Sequence, residues 1–180
     1  MMAQKEKLYY LGENPAVDII NFIPSADGKS YDILLISRGG VTNHNRLALI
    51  GGFIDSFTKR GELFQAKESP EEAAARELEE ETLLKVSPNN LLLVGYYNHK
   101  NRDPRNDESS FVSSTVFAHF WTLENWEQQK LVMKPSDGEK EIHLFPLDAI
   151  LKHQYSLAFD HQQIIEDACL KFFSQKQFKP

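Results

Sequence analysis

The sequence predicts a layered α/β fold in which helices cover both faces of a β-sheet. Three observations lead to this prediction: two apolar β-rich runs at 17–22 and 31–37, an acidic helix in mid-chain, and an amphipathic helix near the C-terminus. Strands and helices in this arrangement bury their apolar faces as an α/β/α sandwich. Hydrophobic residues make up 41% and charged residues 26%, as expected for one globular domain over residues 1–180.

The first two strands are predicted to form a hairpin. The runs Val17 to Phe22 and Tyr31 to Ser37 are separated by the turn sequence Pro24 to Gly28, which contains Pro, Ser, Asp and Gly. A short strand at 46–50 then leads into a pair of glycines at 51–52.

The helix that begins near Pro70 is the most distinctive segment of the chain. Ser69 precedes the proline, and Glu72 follows Ser69 by three positions, which is the pattern of a capping box. Strong helix formers follow without Gly or Pro. We expect this helix to continue to about Lys85, before the sequence at 87–90 stops it.

Further strands and one further helix complete the predicted sandwich. Leu91 to Tyr97, Phe111 to Thr122 and Ile142 to Phe145 have the composition of strands. The last helix begins at Asp160, a favourable N-cap residue. Its predicted core-facing residues are Ile164, Ile165, Ala168, Leu170 and Phe172.

Three carboxylates on the mid-chain helix indicate a candidate site for a divalent metal ion. Glu77, Glu80 and Glu81 stand at i, i+3 and i+4 and therefore share one face. Like charges at this spacing repel by roughly 0.2–0.5 kcal/mol per pair. Converging carboxylates form an all-oxygen site that suits Mg²⁺ or Mn²⁺. The alternative is a solvated acidic helix, which is what most charge runs are.

This stretch resembles the Nudix box, whose pattern is G-x5-E-x7-R-E-U-x-E-E-x-G-U with U aliphatic. Glu68 is followed after seven residues by Arg76 and Glu77, and Glu80, Glu81 and the aliphatic Leu84 then match in register. The upstream sequence at 51–55 is similar to the G-G-F-x-E segment that carries the leading glycine. The resemblance implies a Nudix-type α/β/α sandwich with a mixed sheet and a catalytic loop-helix-loop.

The chain departs from the Nudix pattern at two places. Fifteen residues separate Gly52 from Glu68 where the family has five, so an insertion at about 56–66 interrupts the box. We expect it to form a surface loop or lid beside the metal site. The second departure is Leu83, which stands where the family has glycine.

The resemblance also implies roles for individual residues. Glu77, Glu80 and Glu81 are expected to hold one or more Mg²⁺ or Mn²⁺ ions, with the Gly52 backbone near the metal or phosphate. Arg76 is expected to fix a glutamate by a charge-assisted hydrogen bond. The candidates for the general base stay open: they are Glu80, Glu81, Glu139 and Glu141.

Two more segments indicate a branch of the family. Residues 101–105, which contain R-D-P-R, and residues 156–161, S-L-A-F-D-H, are similar to segments of ADP-ribose pyrophosphatases. The resemblance implies hydrolysis of ADP-ribose to AMP and ribose 5-phosphate. The candidate substrate contacts are Arg38, Arg102, Arg105 and Glu68. The alternatives are a non-catalytic ADP-ribose-sensing domain, or a hydrolase of NADH, nucleoside-diphosphate sugars or nucleoside triphosphates.

Composition limits the partners that we expect. The formal net charge of −6 argues against nucleic acid and anionic membranes, because both attract basic surfaces. Cys169 is the only cysteine, so no internal disulfide forms. No apolar run approaches the length of a membrane span. We expect a cytoplasmic protein that binds a nucleoside-diphosphate-linked small molecule, with a homodimer as one option.

Overall fold

The computed structural model describes residues 8–38, 46–135 and 141–174. These residues form seven strands, four α-helices and a 3₁₀ turn at Pro88–Asn90. The strands are β1 Gly12–Pro24, β2 Tyr31–Arg38, β3 Arg46–Ala48, β4 Ile50–Phe53, β5 Leu92–Tyr97, β6 Ser110–Phe120 and β7 Ile142–Pro146. The helices are α1 Pro70–Thr82, α2 Leu123–Gln129, α3 Leu147–Leu151 and α4 His161–Phe173.

The strands form one mixed sheet with β1 at its centre. The order is β3-β2-β1-β6-β5, with β4 also pairing with β1 and β7 with β2. Strands β1 and β6 run parallel, in register from Gly12 opposite Ser110 to Phe22 opposite Phe120. The pairs of β1 with β2 and β4 are antiparallel. The predicted mixed sheet is confirmed.

Helices cover both faces of the sheet, as predicted. On one face α1 and α2 pack their buried Leu78 and Trp126 against residues such as Ile19 of β1. On the other face α4 packs Ile164 and its neighbours against residues such as Ile20. Ile19 and Ile20 lie on opposite faces because successive side chains of a strand point to opposite sides of the sheet. Among the described residues, no helix is both long and apolar enough to cross a membrane.

Helix α1 ends earlier than the sequence predicts. It stops at Thr82, and Leu83 adopts a left-handed conformation with φ 63°. The buried Thr82 hydroxyl donates to the Leu78 carbonyl at 2.6 Å and accepts from the Leu84 amide at 3.1 Å. Leu84 is fully buried by this turn. The expected continuation to Lys85 is therefore wrong, because burying Leu84 outweighs the strain at Leu83.

One predicted core residue of the last helix is also wrong. Leu170 is 67% exposed, whereas Cys169 beside it is buried with Ile164, Ile165 and Ala168. The buried positions follow the i, i+1, i+4, i+5 spacing of one helical face, which leaves Leu170 outside. The last helix does begin after Asp160, although that side chain makes no capping hydrogen bond.

The insertion at 56–66 lies on the surface and is attached to the N-terminal segment. Its ends meet in an isolated antiparallel bridge between Ser56 and Ala66. The Gly61 amide donates to the Tyr9 carbonyl at 2.8 Å. Phe64 turns inward and packs against the core that contains α1. The insertion is thus fixed to the body of the protein at several points.

The capping box of α1 should contribute measurably to stability. The Glu72 amide donates to the Ser69 hydroxyl at 3.2 Å, and the Ser69 amide donates to the Glu72 carboxylate at 2.8 Å. Ser69→Ala removes the first bond and should lower the free energy of unfolding by about 1 kcal/mol. Ser87→Ala is the matched control, since Ser87 precedes the 3₁₀ turn without a side-chain capping bond. Urea unfolding measures both, and equal losses would contradict the prediction.

Candidate active site

Two glycines of β4 allow close approaches to this strand, one from α1 and one from β1. A Cβ atom on Gly52 would lie 2.3 Å from the Cδ atom of Glu77, and one on Gly51 would lie 2.1 Å from the Val17 carbonyl oxygen. Both distances are far below van der Waals contact, so any side chain would force the elements apart. Gly52 therefore lets the Glu77 carboxylate lie directly against the backbone of β4, and Gly51 lets β4 lie against β1.

The guanidinium of Arg76 joins three carboxylates to the end of β4. Its Nη2 lies 2.6 Å from Oε1 of Glu68, and its Nη1 lies 2.8 Å from Oε1 of Glu77. The same Nη1 lies 3.0 Å from Oε2 of Glu80. Nη2 also donates to the Phe53 carbonyl at 3.1 Å. The hydrogen bond to Glu68 is the largest influence that raises the pKa of Arg76, which keeps this cation charged.

Glu68 is held from two directions. Besides Arg76, the Asp55 amide donates to Oε1 of Glu68 at 2.8 Å. Burial raises the pKa of Glu68, but the hydrogen bonds from Arg76 and Asp55 outweigh burial, so the net pKa is lowered. Glu68 is therefore an anchored carboxylate that connects the end of the insertion to α1.

Glu77 occupies a region where negative charge accumulates. Its pKa is raised, first by burial and further by the charges of Glu81 and Glu80, although Arg76 lowers it. A divalent cation would offset this repulsion, and carboxylate oxygens are the donors that Mg²⁺ and Mn²⁺ prefer. The donor chemistry of Glu77, Glu80 and Glu81 thus fits such an ion. In the described ranges, however, no three acidic, histidine or cysteine side chains already converge on a metal position.

A cleft opens beside Gly52 and is lined by charged side chains. Its walls include Asp18, Gly52, Phe53 and Arg105. Arg105 donates from Nη2 to Asp103 at 2.7 Å, and its guanidinium lies 5.3 Å from the centre of the Phe53 ring. Arg105 therefore connects the R-D-P-R segment, to which it belongs, with Phe53 at the end of β4.

Arg102 also lines this cleft, but its guanidinium is committed to buried ion pairs. Its Nε and Nη2 each donate to Asp160 at 3.1 Å, and Nη2 lies 3.4 Å from Asp18. Only 4% of the Arg102 side chain is exposed. The Asp160 carboxylate also lies 3.1 Å from His99. Arg102 thus joins the segment at 101–105 to the start of α4, and both segments form walls of the cleft.

Asp18 is a central residue of this network that the sequence analysis missed. It accepts a hydrogen bond from the Ser114 hydroxyl at 2.6 Å, and its Oδ1 lies 3.4 Å from Nε2 of His161. His161 Nδ1 accepts from the Leu49 amide at 2.9 Å, so Nε2 carries the ring proton. Burial raises the pKa of Asp18, but His161, Arg102 and Ser114 lower it by more, so that the net pKa lies below its ordinary range. An aspartate inside the apolar run of β1 was the available signal.

The remaining predicted residues lie outside this cluster or outside the described ranges. Arg38 ends β2 opposite Arg46. Glu141 precedes β7, its side chain is 76% exposed, and its Oε2 lies 3.2 Å from His143. Glu139 lies outside the described residues.

Comparisons with known proteins agree on one family. The model of the NUDIX domain matches residues 13–168. An ADP-ribose pyrophosphatase of Methanocaldococcus jannaschii is 35% identical over 161 residues, covering 89% of this chain and 77% of that protein.

Solved structures share the fold. A MutT/nudix family protein from Enterococcus faecalis superimposes with a TM-score of 0.70 at 23% identity, covering 97% of this chain. This chain spans 65% of the length of the Enterococcus protein. The NUDIX domain of Shewanella oneidensis NrtR, crystallised with ADP ribose, gives a TM-score of 0.67 at 23% identity, covering 89% and 88% of the two chains. The same Shewanella protein has also been solved with a 27-mer DNA.

The Asp18 network should appear in the pH dependence of stability. Because the pKa of Asp18 is lowered on folding, its carboxylate stabilises the protein above the ordinary value of 3.8, and this contribution is lost as pH falls further. Asp18→Asn should lower the free energy of unfolding by about 3 kcal/mol at neutral pH. The difference from wild type should shrink below about pH 4.

Asp27→Asn is the matched control for this prediction. Asp27 also has a lowered pKa, caused mainly by the Ser25 hydroxyl, but it lies on an exposed turn. Its substitution should leave stability nearly unchanged. Denaturant unfolding from pH 2 to pH 8 measures both variants, and a difference at Asp18 that is constant over this range would refute the network's contribution.

Proposed function

The chain belongs to the NUDIX family, and we propose that it hydrolyses ADP-ribose to AMP and ribose 5-phosphate in a reaction that requires Mg²⁺ or Mn²⁺. It is a Nudix pyrophosphohydrolase. The observation that carries the proposal is the carboxylate cluster around Arg76, which lies against the Gly52 backbone and beside the charged cleft.

Two relatives support ADP-ribose as the substrate. The Methanocaldococcus protein at 35% identity is named an ADP-ribose pyrophosphatase. The NUDIX domain of the Shewanella protein shares the fold and was crystallised with ADP ribose. In this chain the R-D-P-R segment and the start of α4 form walls of the same cleft, which supports their proposed role in binding the ligand.

The carboxylates of α1 are the residues that would hold the divalent ion. Glu77, Glu80 and Glu81 supply hard oxygen donors, and the Gly52 backbone is close enough to take part. When bound, such an ion neutralises charge on the diphosphate and lowers the pKa of a bound water. Arg76 lies within hydrogen-bonding distance of Glu77 and Glu80 and so orients both carboxylates.

Other residues receive narrower roles. Glu68 bonds to Arg76 and to the Asp55 amide, which supports positioning of Arg76 over direct contact with substrate. Glu80, Glu81, Glu139 and Glu141 stay candidates for the general base, and Arg38 stays a candidate phosphate contact. We propose one hydrolase domain over residues 1–180, located in the cytoplasm, with a homodimer as one option for assembly.

The second candidate function is ADP-ribose sensing without turnover. It is favoured by the Shewanella protein, which has been solved both with ADP ribose and with DNA. The carboxylates on α1 argue for turnover, because a sensor has no need of mutually repelling glutamates at the site. Incubation with ADP-ribose and Mg²⁺ separates the two functions, since a sensor binds the compound and leaves it intact.

The metal assignment predicts that acidic residues on one helix differ sharply in importance. Glu80→Gln and Glu81→Gln should each lower kcat by roughly 100-fold, because each removes a charged oxygen donor. Glu79→Gln is the matched control, since Oε1 of Glu79 lies 2.8 Å from Nζ of Lys85. Steady-state rates with titrated Mg²⁺ and Mn²⁺ measure this effect. Full activity in excess chelator, or equal damage at Glu79, would show that the carboxylate face is misassigned.

The substrate assignment predicts a preference and a binding residue. ADP-ribose should have a kcat/KM at least about tenfold above those of NADH and nucleoside triphosphates. Arg105→Ala should raise KM more than it lowers kcat, because Arg105 lines the cleft without belonging to the carboxylate cluster. Lys100→Ala, an exposed change nearby in the chain, is the control. A triphosphate preferred tenfold would overturn the substrate and leave the hydrolase class intact.

A further inference from the structure

We propose that a groove between the N-terminal segment and the end of β4 binds the base of the nucleotide, as a planar ring stacked on Tyr9. The groove is lined by Tyr9, Tyr10, Asn14, Phe53 and Asp55, among others. This inference rests on the proposed function, since it assigns one half of a nucleoside-diphosphate substrate to a place beside the same site.

The position of the groove fits a substrate that carries groups on both sides of a diphosphate. Phe53 lines this groove and also the charged cleft beside Gly52. Asp55, on the groove side, donates its amide to Glu68 of the Arg76 cluster. The two recesses therefore meet next to the carboxylates. A diphosphate bound there would extend one substituent into each recess.

The groove has the chemistry of a base-binding surface. The guanidinium of Arg60 lies 5.0 Å from the centre of the Tyr9 ring, and that of Arg105 lies 5.3 Å from the centre of the Phe53 ring. Both aromatic rings are thus held by a cation on one side. Tyr9 is 58% exposed, which leaves ring surface for a ligand. Bases stack readily on such rings, whereas the charged cleft suits a ribose phosphate.

The groove is also prepared for binding before any ligand arrives. The Tyr10 amide donates to Oδ1 of the buried Asn14, and Nδ2 of Asn14 donates to the Tyr10 carbonyl, both at 2.9 Å. The Tyr10 ring packs edge-on against Phe64, with centres 5.3 Å apart. Phe64 and Arg60 both belong to the insertion. The insertion therefore acts through the tyrosines that it supports, and this fixed surface reduces the entropy lost on binding.

The size of the groove favours part of a nucleotide. Its volume is about 240 Å³. Pockets that enclose a whole drug-sized ligand span roughly 300–1,000 Å³. The groove thus suits a base, with the rest of the substrate lying across Phe53 in the second recess.

Equilibrium binding of the two product fragments tests the assignment. Calorimetry with Mg²⁺ would measure AMP and ribose 5-phosphate separately, and neither contains a pyrophosphate that can be hydrolysed. Tyr9→Ala should weaken the binding of AMP by about tenfold and leave the affinity for ribose 5-phosphate unchanged, because only AMP carries the base. Tyr9→Phe keeps the ring and should bind AMP as wild type does. Phe57→Ala is the matched control, since Phe57 is an exposed aromatic residue of the insertion that does not line the groove.

The outcomes separate this inference from the proposed function. The base subsite is overturned if Tyr9→Ala binds AMP as tightly as wild type does, or if it binds AMP and ribose 5-phosphate with equally weakened affinity. In either case, turnover of ADP-ribose by the wild-type protein upholds the proposed function. Weakening in Tyr9→Phe equal to that in Tyr9→Ala overturns the stacking contact. AMP binding that depends on Tyr9, in a protein that does not turn over ADP-ribose, supports the subsite and refutes the substrate.

Discussion

The close approach of α1 to β4 at Gly52 is the constraint on which the rest of the site depends. A Cβ atom at Gly52 would lie 2.3 Å from the Cδ atom of Glu77, too close for both to fit. Because the backbone is bare there, Glu77 is buried against a strand and its pKa is raised. A buried carboxylate next to two others is unfavourable by itself. The arrangement therefore requires compensating positive charge.

Arg76 meets part of that requirement within the protein itself. Its five donors reach carboxylates on α1, the carboxylate of Glu68 and the carbonyl at the end of β4. A lysine offers one compact charge and could not span these directions. Arg76 therefore connects α1, the end of β4 and Glu68, which follows the insertion. The consequence is that the carboxylates are oriented before a substrate arrives, which lowers the reorganisation needed during the reaction.

The features that the sequence predicts correctly are those that neighbouring residues along the chain determine. The capping box, the start of α1 and the shared face of its glutamates depend on residues a few positions apart. The predicted end of α1 was wrong because the helix stops where Leu84 can be buried in the core, and residues far along the chain form that core. The Asp18 network was missed for the same reason: Ser114 and Arg102 are 96 and 84 positions away. Arg102 was predicted to contact substrate, and its burial with Asp160 became visible only when the sheet brought these segments together.

The insertion shows why spacing along the chain and spacing in the fold must be considered separately. Extending a connection from five to fifteen residues costs only about 1 kcal/mol of loop entropy. The structure closes the added length with the Ser56–Ala66 bridge and with a hydrogen bond from the Lys67 amide to the Asp55 carbonyl at 2.8 Å. Glu68 is thereby returned to hydrogen-bonding distance of Asp55, three residues beyond Gly52. The sequence pattern of the box is interrupted, but Glu68 still reaches Arg76 and the Asp55 amide, because hydrogen bonds across the base of the loop replace a short connection.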